Sequence, residues 1–183
     1  IKAIDVACGG GLLAESLHFK GAEMTGVDIS DVAIHTARIH AEKQGLEIKY
    51  LNCEAEDLLP AEKESYDLVT CLEAIEHVPD PAKLVETCSN LCKPGGTIVF
   101  STINRNPKSF LFAIIGAEYI LNLLPKGTHE YKKFIKPSEL SSMMRDNSLE
   151  VIEVIGMSYN PITKNYWLGK DVDVNYLIHA RKK

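Results

Sequence analysis

Apolar strand-like stretches alternate with runs of helical spacing through most of this chain, and that alternation limits the possible folds more than any other feature. Lys2–Ala7, Glu23–Asp28, Glu47–Leu51 and Tyr66–Leu72 have the length and apolar content of strands. Gly9–Lys20, Val32–Lys43 and Pro81–Cys92 carry the helical period, with Gly45 close after the second and Asp80 and Pro81 set as N-cap and first residue of the third. The turn "KPGG" (Lys93–Gly96) then feeds a fifth strand, Thr97–Thr102. Strands joined through helices must run parallel, with helices covering both sheet faces. The tail differs: after a helix over Pro137–Asn147 come strands at Leu149–Ser158 and Val172–Ala180, joined without a helix. The expected fold is α/β: one domain over residues 1–183, a doubly wound, mostly parallel sheet with an antiparallel C-terminal pair. An insertion, Ile103–Lys136, follows strand five.

A chain of 183 residues can bury a substantial core, and its net charge of −5 disfavours nucleic acid as a partner. The five cysteines are scattered with no C-x-x-C pair, which fits free thiols in a reducing compartment. Cys88 and Cys92, one helical turn apart, read as packing thiols. Because the chain opens directly in an apolar strand at Ile1, a preceding helical segment is expected.

In "DVACGGGLLAE", Gly9, Gly10 and Gly11 lie where strand one turns into a helix. Glycine there lets backbone approach a ligand, and the helix N-terminus offers unpaired N–H groups. The dinucleotide fingerprint G-x-G-x-x-G is not met, because position 7 is Ala and position 12 is Leu. Asp28, at the tip of strand two, can accept both hydroxyls of a ribose, or can cap the next helix, a task equally open to Ser30 and Asp31. In "CEAED" (Cys53–Asp57), Glu56 or Asp57 could meet an adenine amino group, or the loop could simply be solvated.

After strand four comes "EAIEHV". If Glu73 begins a helical turn, Glu76 and His77 fall on its face. Three readings stay open on spacing alone. Two carboxylates and an imidazole could hold a divalent ion with open positions, suited to Mg²⁺ and also to Zn²⁺, Mn²⁺ or Fe²⁺. His77 could act as general base with Glu73 or Glu76 orienting it. Or the acids could merely favour a helix dipole.

Within the insertion, "FLFAIIGAEYILNLL" (Phe110–Leu124) is almost continuously apolar. As a helix it would reach about 22 Å against a hydrocarbon core of about 30 Å, too short to cross a bilayer. Flanked by Arg105, Lys108, Lys126, Lys132 and Lys133, it is expected to lie in a membrane interface over residues 108–126; a buried core helix or lid is the alternative. His129 reads as a structural loop histidine, with ring contact as its other role.

Asp5-x-Ala7-x-Gly9-x-Gly11, Asp28, the acidic loop, "YDLVTCLEAIEHV" and "LCKPGG" together resemble the class I S-adenosylmethionine-dependent methyltransferases. The departure is Ala7, which stands where the D-x-G-x-G-x-G loop has its first glycine. A backbone contact from residue 7 survives that change provided its φ need not be positive. The resemblance implies that Ala7, Gly9, Gly11, Asp28, Ile29, Glu56 and Leu72 bind the cofactor, with Leu72 against its methionine or adenine part. The stretch from "STINRNPKSF" to "HEYKKFIKPSEL", then "YNPITKNYWLG" and "VNYLIHA", resembles more narrowly the ubiquinone-biosynthesis O-methyltransferases. That likeness runs the length of the chain. It implies methylation of a catechol oxygen on polyprenylated ring intermediates, a divalent metal (Mg²⁺ foremost) on Glu73, Glu76 and His77 with these three as the catalytic groups, and a biosynthetic complex as a partner. A bound ion would lower the catechol pKa, and transfer would then rest on positioning. The implied location is the cytoplasm with peripheral membrane contact, or the mitochondrial matrix in a eukaryote. A methyltransferase of small soluble phenols, and a non-catalytic scaffold, are the competing functions.

Overall fold

The computed structural model describes residues 1–109, 131–160 and 163–183. An eight-stranded sheet forms the centre, in the order β3-β2-β1-β4-β5-β8-β6-β7. Its parallel half is β3 (Lys49–Asn52), β2 (Glu23–Asp28), β1 (Lys2–Val6), β4 (Tyr66–Leu72) and β5 (Cys92–Ile103). β8 (Asn175–Lys182), β6 (Leu149–Asn160) and β7 (Asn165–Gly169) complete it with antiparallel ladders. The strand order reverses at β1, which pairs with β2 on one side and β4 on the other. Open α/β sheets leave a crevice at such a switch point, beyond the carboxyl ends of the strands.

Alternation along β1 assigns the two faces. Ala3 packs in a cluster with Ala14, Ile34, Ala37 and Tyr50, under α1 (Leu12–His18) and α2 (Asp31–Gln44). Ile4 and Val6 belong to the cluster on the other face with Leu84, Val85, Cys88 and Leu91 of α4 (Pro81–Leu91) and Leu140 and Met144 of α6 (Pro137–Asp146). Between these lie α3 (Leu59–Glu62) and the single turn α5 (Pro107–Ser109). The two-residue strand period thus turns one sequence into two cores.

The helix starts follow their caps. Asp80 Oδ1 accepts the Lys83 N–H at 3.1 Å, with Pro81 at the first position of α4 as the sequence predicts. All five cysteines are free, and Cys71, Cys88 and Cys92 are buried in the core.

The tail departs from the expected pair. The connection between the last two predicted strands contains a further strand, β7, so that β8 lies between β5 and β6, and the β6–β7 hairpin forms the edge. Strand five also begins earlier than predicted: Cys92 pairs with Tyr66 before a bulge, and "KPGG" falls inside β5. The apolar run Phe110–Leu124 and His129 lie outside the described residues. Among the described residues, no helix is long and apolar enough to cross a membrane.

Candidate active site

The site grows from the chain reversal after β1. Ala7, Gly9 and Gly11 all have positive φ, at 58°, 52° and 84°. The condition set by the sequence therefore fails: residue 7 does adopt a left-handed backbone, and alanine carries it with strain. Gly11 cannot be replaced for a different reason, since a Cβ there would stand 2.3 Å from the Tyr50 hydroxyl. That hydroxyl donates to the Gly11 carbonyl at 3.3 Å and seats the start of α1 on β3.

Asp28 fixes the same loop from β2. Its Oδ2 accepts the Gly9 N–H at 2.9 Å and its Oδ1 accepts the Ser30 N–H at 2.8 Å. The cap of α2 is Ser30, whose hydroxyl accepts the Ala33 N–H at 3.2 Å. Asp28 thus holds the β1 loop beside β2, and each carboxylate oxygen keeps a lone pair for another donor.

A cleft of about 330 Å³ opens at this edge. Ala7, Asp28, Ile29 and Glu56 line it together; Ala74, Val78 and Pro79 form the wall toward β4. Asp57 serves a different purpose, because its Oδ2 accepts the Glu54 N–H at 3.2 Å in a capping box. Of the two acids expected to meet an adenine amino group, Glu56 therefore lines the cleft and Asp57 does not; Glu54 lines it as well. Gly9, Gly11 and Leu72 are not among the lining residues. The two glycines shape the loop, and Leu72 pairs with Ser101 at the end of β4. Cys53, Lys83 and Leu84 also line the cleft, and nothing in their spacing announced it.

The "EAIEH" stretch is not a helical turn. Glu73 has φ 53°, and its N–H donates to the Ser101 carbonyl at 3.1 Å, so the chain bends sharply off β4. His77 N–H donates to the Ala74 carbonyl at 2.9 Å and closes a tight turn. Three groups expected on one face consequently separate. Glu73, exposed, accepts the Ser101 hydroxyl on Oε1 at 2.5 Å and the Asn175 amide on Oε2 at 3.4 Å. Glu76, only 3 % exposed, accepts the Thr102 hydroxyl on Oε2 at 2.8 Å. Ser101 and Thr102 are consecutive on β5, and consecutive strand side chains leave on opposite faces. The two carboxylates therefore approach β5 from either side, while His77 is exposed. Among the described residues no three acidic, histidine or cysteine side chains gather as a metal site.

Glu76 carries the unusual chemistry of this turn. Its Oε1 is buried without a hydrogen-bond partner. Burial first, and the Glu73 charge second, push its pKa up to about 7. Asp5, buried under the loop and accepting the Thr70 hydroxyl at 2.7 Å, is raised to about 6, again by burial first. Glu76 opens on a second cleft of about 320 Å³, which shares Val78 and Pro79 with the first and is otherwise built from Pro81 at the start of α4, Arg105 after β5, the segment before α6, and Glu139 and Met143 of α6. No spacing signal predicted this second cleft, because its walls come from residues far apart in sequence.

The chain matches the model of a methyltransferase domain over residues 4–100. It is 57% identical over 182 residues to a ubiquinone biosynthesis O-methyltransferase of Marinobacter nauticus, covering 98% of this chain and 76% of that protein. A protein of the same name from Nitrosospira multiformis is 57% identical over 178 residues, covering 97% and 74%. Among solved structures, a SAM-dependent methyltransferase of Thermotoga maritima, described as a possible histamine N-methyltransferase, superposes with TM-score 0.71 at 25% identity, covering 100% and 82%. The magnesium protoporphyrin IX methyltransferase of Synechocystis, solved with bound SAH, shares the fold at TM-score 0.69 and 17% identity, covering 99% and 73%.

Proposed function

Because the chain belongs to the ubiquinone biosynthesis O-methyltransferases, S-adenosylmethionine-dependent enzymes of the class I fold, we propose that it transfers a methyl group to a catechol hydroxyl of a polyprenylated ubiquinone precursor. The observation that supports this most directly is the cleft at the strand-order switch, where Ala7, Asp28, Ile29 and Glu56 meet beside the "EAIEH" turn. In this reading the left-handed loop brings backbone N–H groups to the carboxylate end of the cofactor. Asp28 accepts the ribose hydroxyls with its remaining lone pairs, and Glu56 accepts the adenine amino group. The attacking oxygen, methyl carbon and sulfonium sulfur must lie in line, so the protein's chief contribution is placement.

Metal assistance through Glu73, Glu76 and His77 is the finer part of the reading, and the side chains as held here do not fit it. An ion shared by all three would require Glu73 to leave Ser101 and Asn175. The unpartnered Oε1 of Glu76 is the donor that favours a cation. Calorimetric titration with Mg²⁺ decides the matter: heat in the wild type that is lost in Glu76→Gln and Glu73→Gln supports the ion, and no heat removes it.

The membrane surface is the proposed partner of residues 108–126, which places the protein at the cytoplasmic face of a membrane where a prenylated substrate resides. Flotation with anionic liposomes, comparing the wild type with Phe112→Asp/Ile115→Asp, reads this directly. If neither protein floats, the interfacial role fails.

Methyl transfer from labelled S-adenosylmethionine to a short-chain prenyl catechol tests the activity itself. We expect label on a ring oxygen. Turnover of unprenylated phenols alone would replace the proposed substrate with a small soluble one.

A further inference from the structure

The two acids of the turn after β4 are kept apart by groups that belong to other strands. On β5, the Ser101 hydroxyl donates to Glu73 Oε1 at 2.5 Å and accepts the Glu73 N–H at 3.1 Å. One oxygen therefore holds both the side chain and the backbone of Glu73. Asn175 of β8 donates its amide to the other carboxylate oxygen, Oε2, at 3.4 Å. The register explains why these two act together. Ser101 lies opposite Leu177, and Asn175, two residues along β8, leaves the sheet on the same face. Thr102 lies opposite Tyr176 and leaves on the other face, where its hydroxyl holds Glu76 Oε2 at 2.8 Å.

We infer that Ser101 and Asn175 are positioning residues that hold the Glu73 carboxylate away from Glu76, so that a divalent cation can use both acids only after Glu73 is released. Glu76 is only 3 % exposed, and its Oε1 is buried without a hydrogen-bond partner. A buried carboxylate oxygen left in that condition favours positive charge beside it. After burial, the Glu73 charge is the second cause of the raised Glu76 pKa, so the two carboxylates feel each other. A cation between them would relieve both conditions, and the bonds in its way are those from Ser101 and Asn175. Asn175 bears a cost for its part: its Oδ1 is buried without a partner while its amide N–H group faces Glu73. The turn itself does not depend on these side chains. The Glu73 N–H also donates to the Ser101 carbonyl at 3.1 Å, so loss of the hydroxyl frees the carboxylate and leaves the backbone in place.

Binding of Mg²⁺ and of Mn²⁺ to the whole chain, measured by calorimetry without donor or acceptor, tests this. Ser101→Ala should bind the cation about tenfold more tightly than the wild type, which is about 1.4 kcal/mol. Asn175→Ala should tighten it by less, because its bond is the longer one. Ser101→Thr keeps the hydroxyl and should match the wild type within twofold. The gain must run through the released acid, so Ser101→Ala/Glu73→Gln should show none of it. A cooperative thermal transition in each variant certifies its fold. Equal affinity in Ser101→Ala and the wild type, no heat from either, or a gain that survives Glu73→Gln overturns the positioning role. Neither donor nor acceptor is present in the titration, so a chain that fails to methylate a prenyl catechol leaves its outcome readable, and the two proposals fail separately.

Discussion

Ala7 sits at φ 58°, where an L side chain costs about 1–2 kcal/mol relative to glycine. Glycine in turn loses about 0.5–1 kcal/mol through the freedom of the unfolded chain. The first term wins by a small margin, so Ala7→Gly is expected to raise stability by up to about 1 kcal/mol in urea unfolding, with cofactor affinity retained. A loss of stability would mean that the alanine methyl packs usefully against the loop. Glu76 lends itself to a pH experiment. Its folded pKa of about 7 lies above the ordinary 4.5, so the folded state binds the proton more tightly than the unfolded chain. Stability should therefore fall as pH rises through that window and level off above it, by an amount on the order of 3 kcal/mol. Glu76→Gln cannot titrate, and its stability curve should be flatter between pH 5 and 8, keeping only the smaller decline that Asp5 contributes below about 6. Parallel curves for the two proteins would show that Glu76 is not held in a desolvated place. At this scale residue types were legible and directions were not. The sequence presents Glu73, Glu76 and His77 as one group, but the left-handed bend at Glu73 is set by Ser101 on another strand, and nothing local announces it.

The elements that carry their own boundary signals match their predicted extents: β2 and β4, and α4 with its Asp80 cap. Those that depend on a distant partner do not. β7 is exposed along nearly its whole length, so "NYWLG" shows no alternation, and it is a strand only because β6 pairs with it. The "KPGG" segment carries turn residues and still joins β5, because Cys92 finds Tyr66 across the bulge. The return from β7 to β8 offers a test of this pairing. A Cβ on Gly156 of β6 would lie 1.7 Å from the Asp171 carbonyl oxygen, so the returning chain passes directly over that glycine. Backbone cannot yield as a flexible side chain can. Gly156→Ala is expected to destabilise by about 3 kcal/mol, a fall in Tm of roughly 6–12 °C for a chain this size. An unchanged Tm would mean that the returning segment is held loosely enough to move aside.

For the whole molecule, the sheet edge presents two clefts with one shared wall, and the division of labour between them can be read from stability alone. A ligand that binds only the folded state adds RT ln(1 + [L]/Kd), about 2.7 kcal/mol at a hundredfold excess over Kd, which corresponds to roughly 5–11 °C. S-adenosylhomocysteine should shift the wild type by that amount. Asp28→Ala should lower the Tm of the free protein, because Gly9 and Ser30 lose their acceptor, and should also abolish the ligand shift. Glu73→Ala, Glu76→Ala and His77→Ala should behave the opposite way: turnover lost, ligand shift kept, because none of the three lines the cleft proposed for the cofactor. The alternation of strands and helices made the sheet and its switch point legible in the sequence. The contacts that divide the edge into two compartments come from Val78, Pro79, Arg105 and α6, brought together by the fold. If the Glu76 and His77 variants lose the ligand shift along with turnover, the edge is one compartment, and the cofactor and the acceptor are held by the same residues.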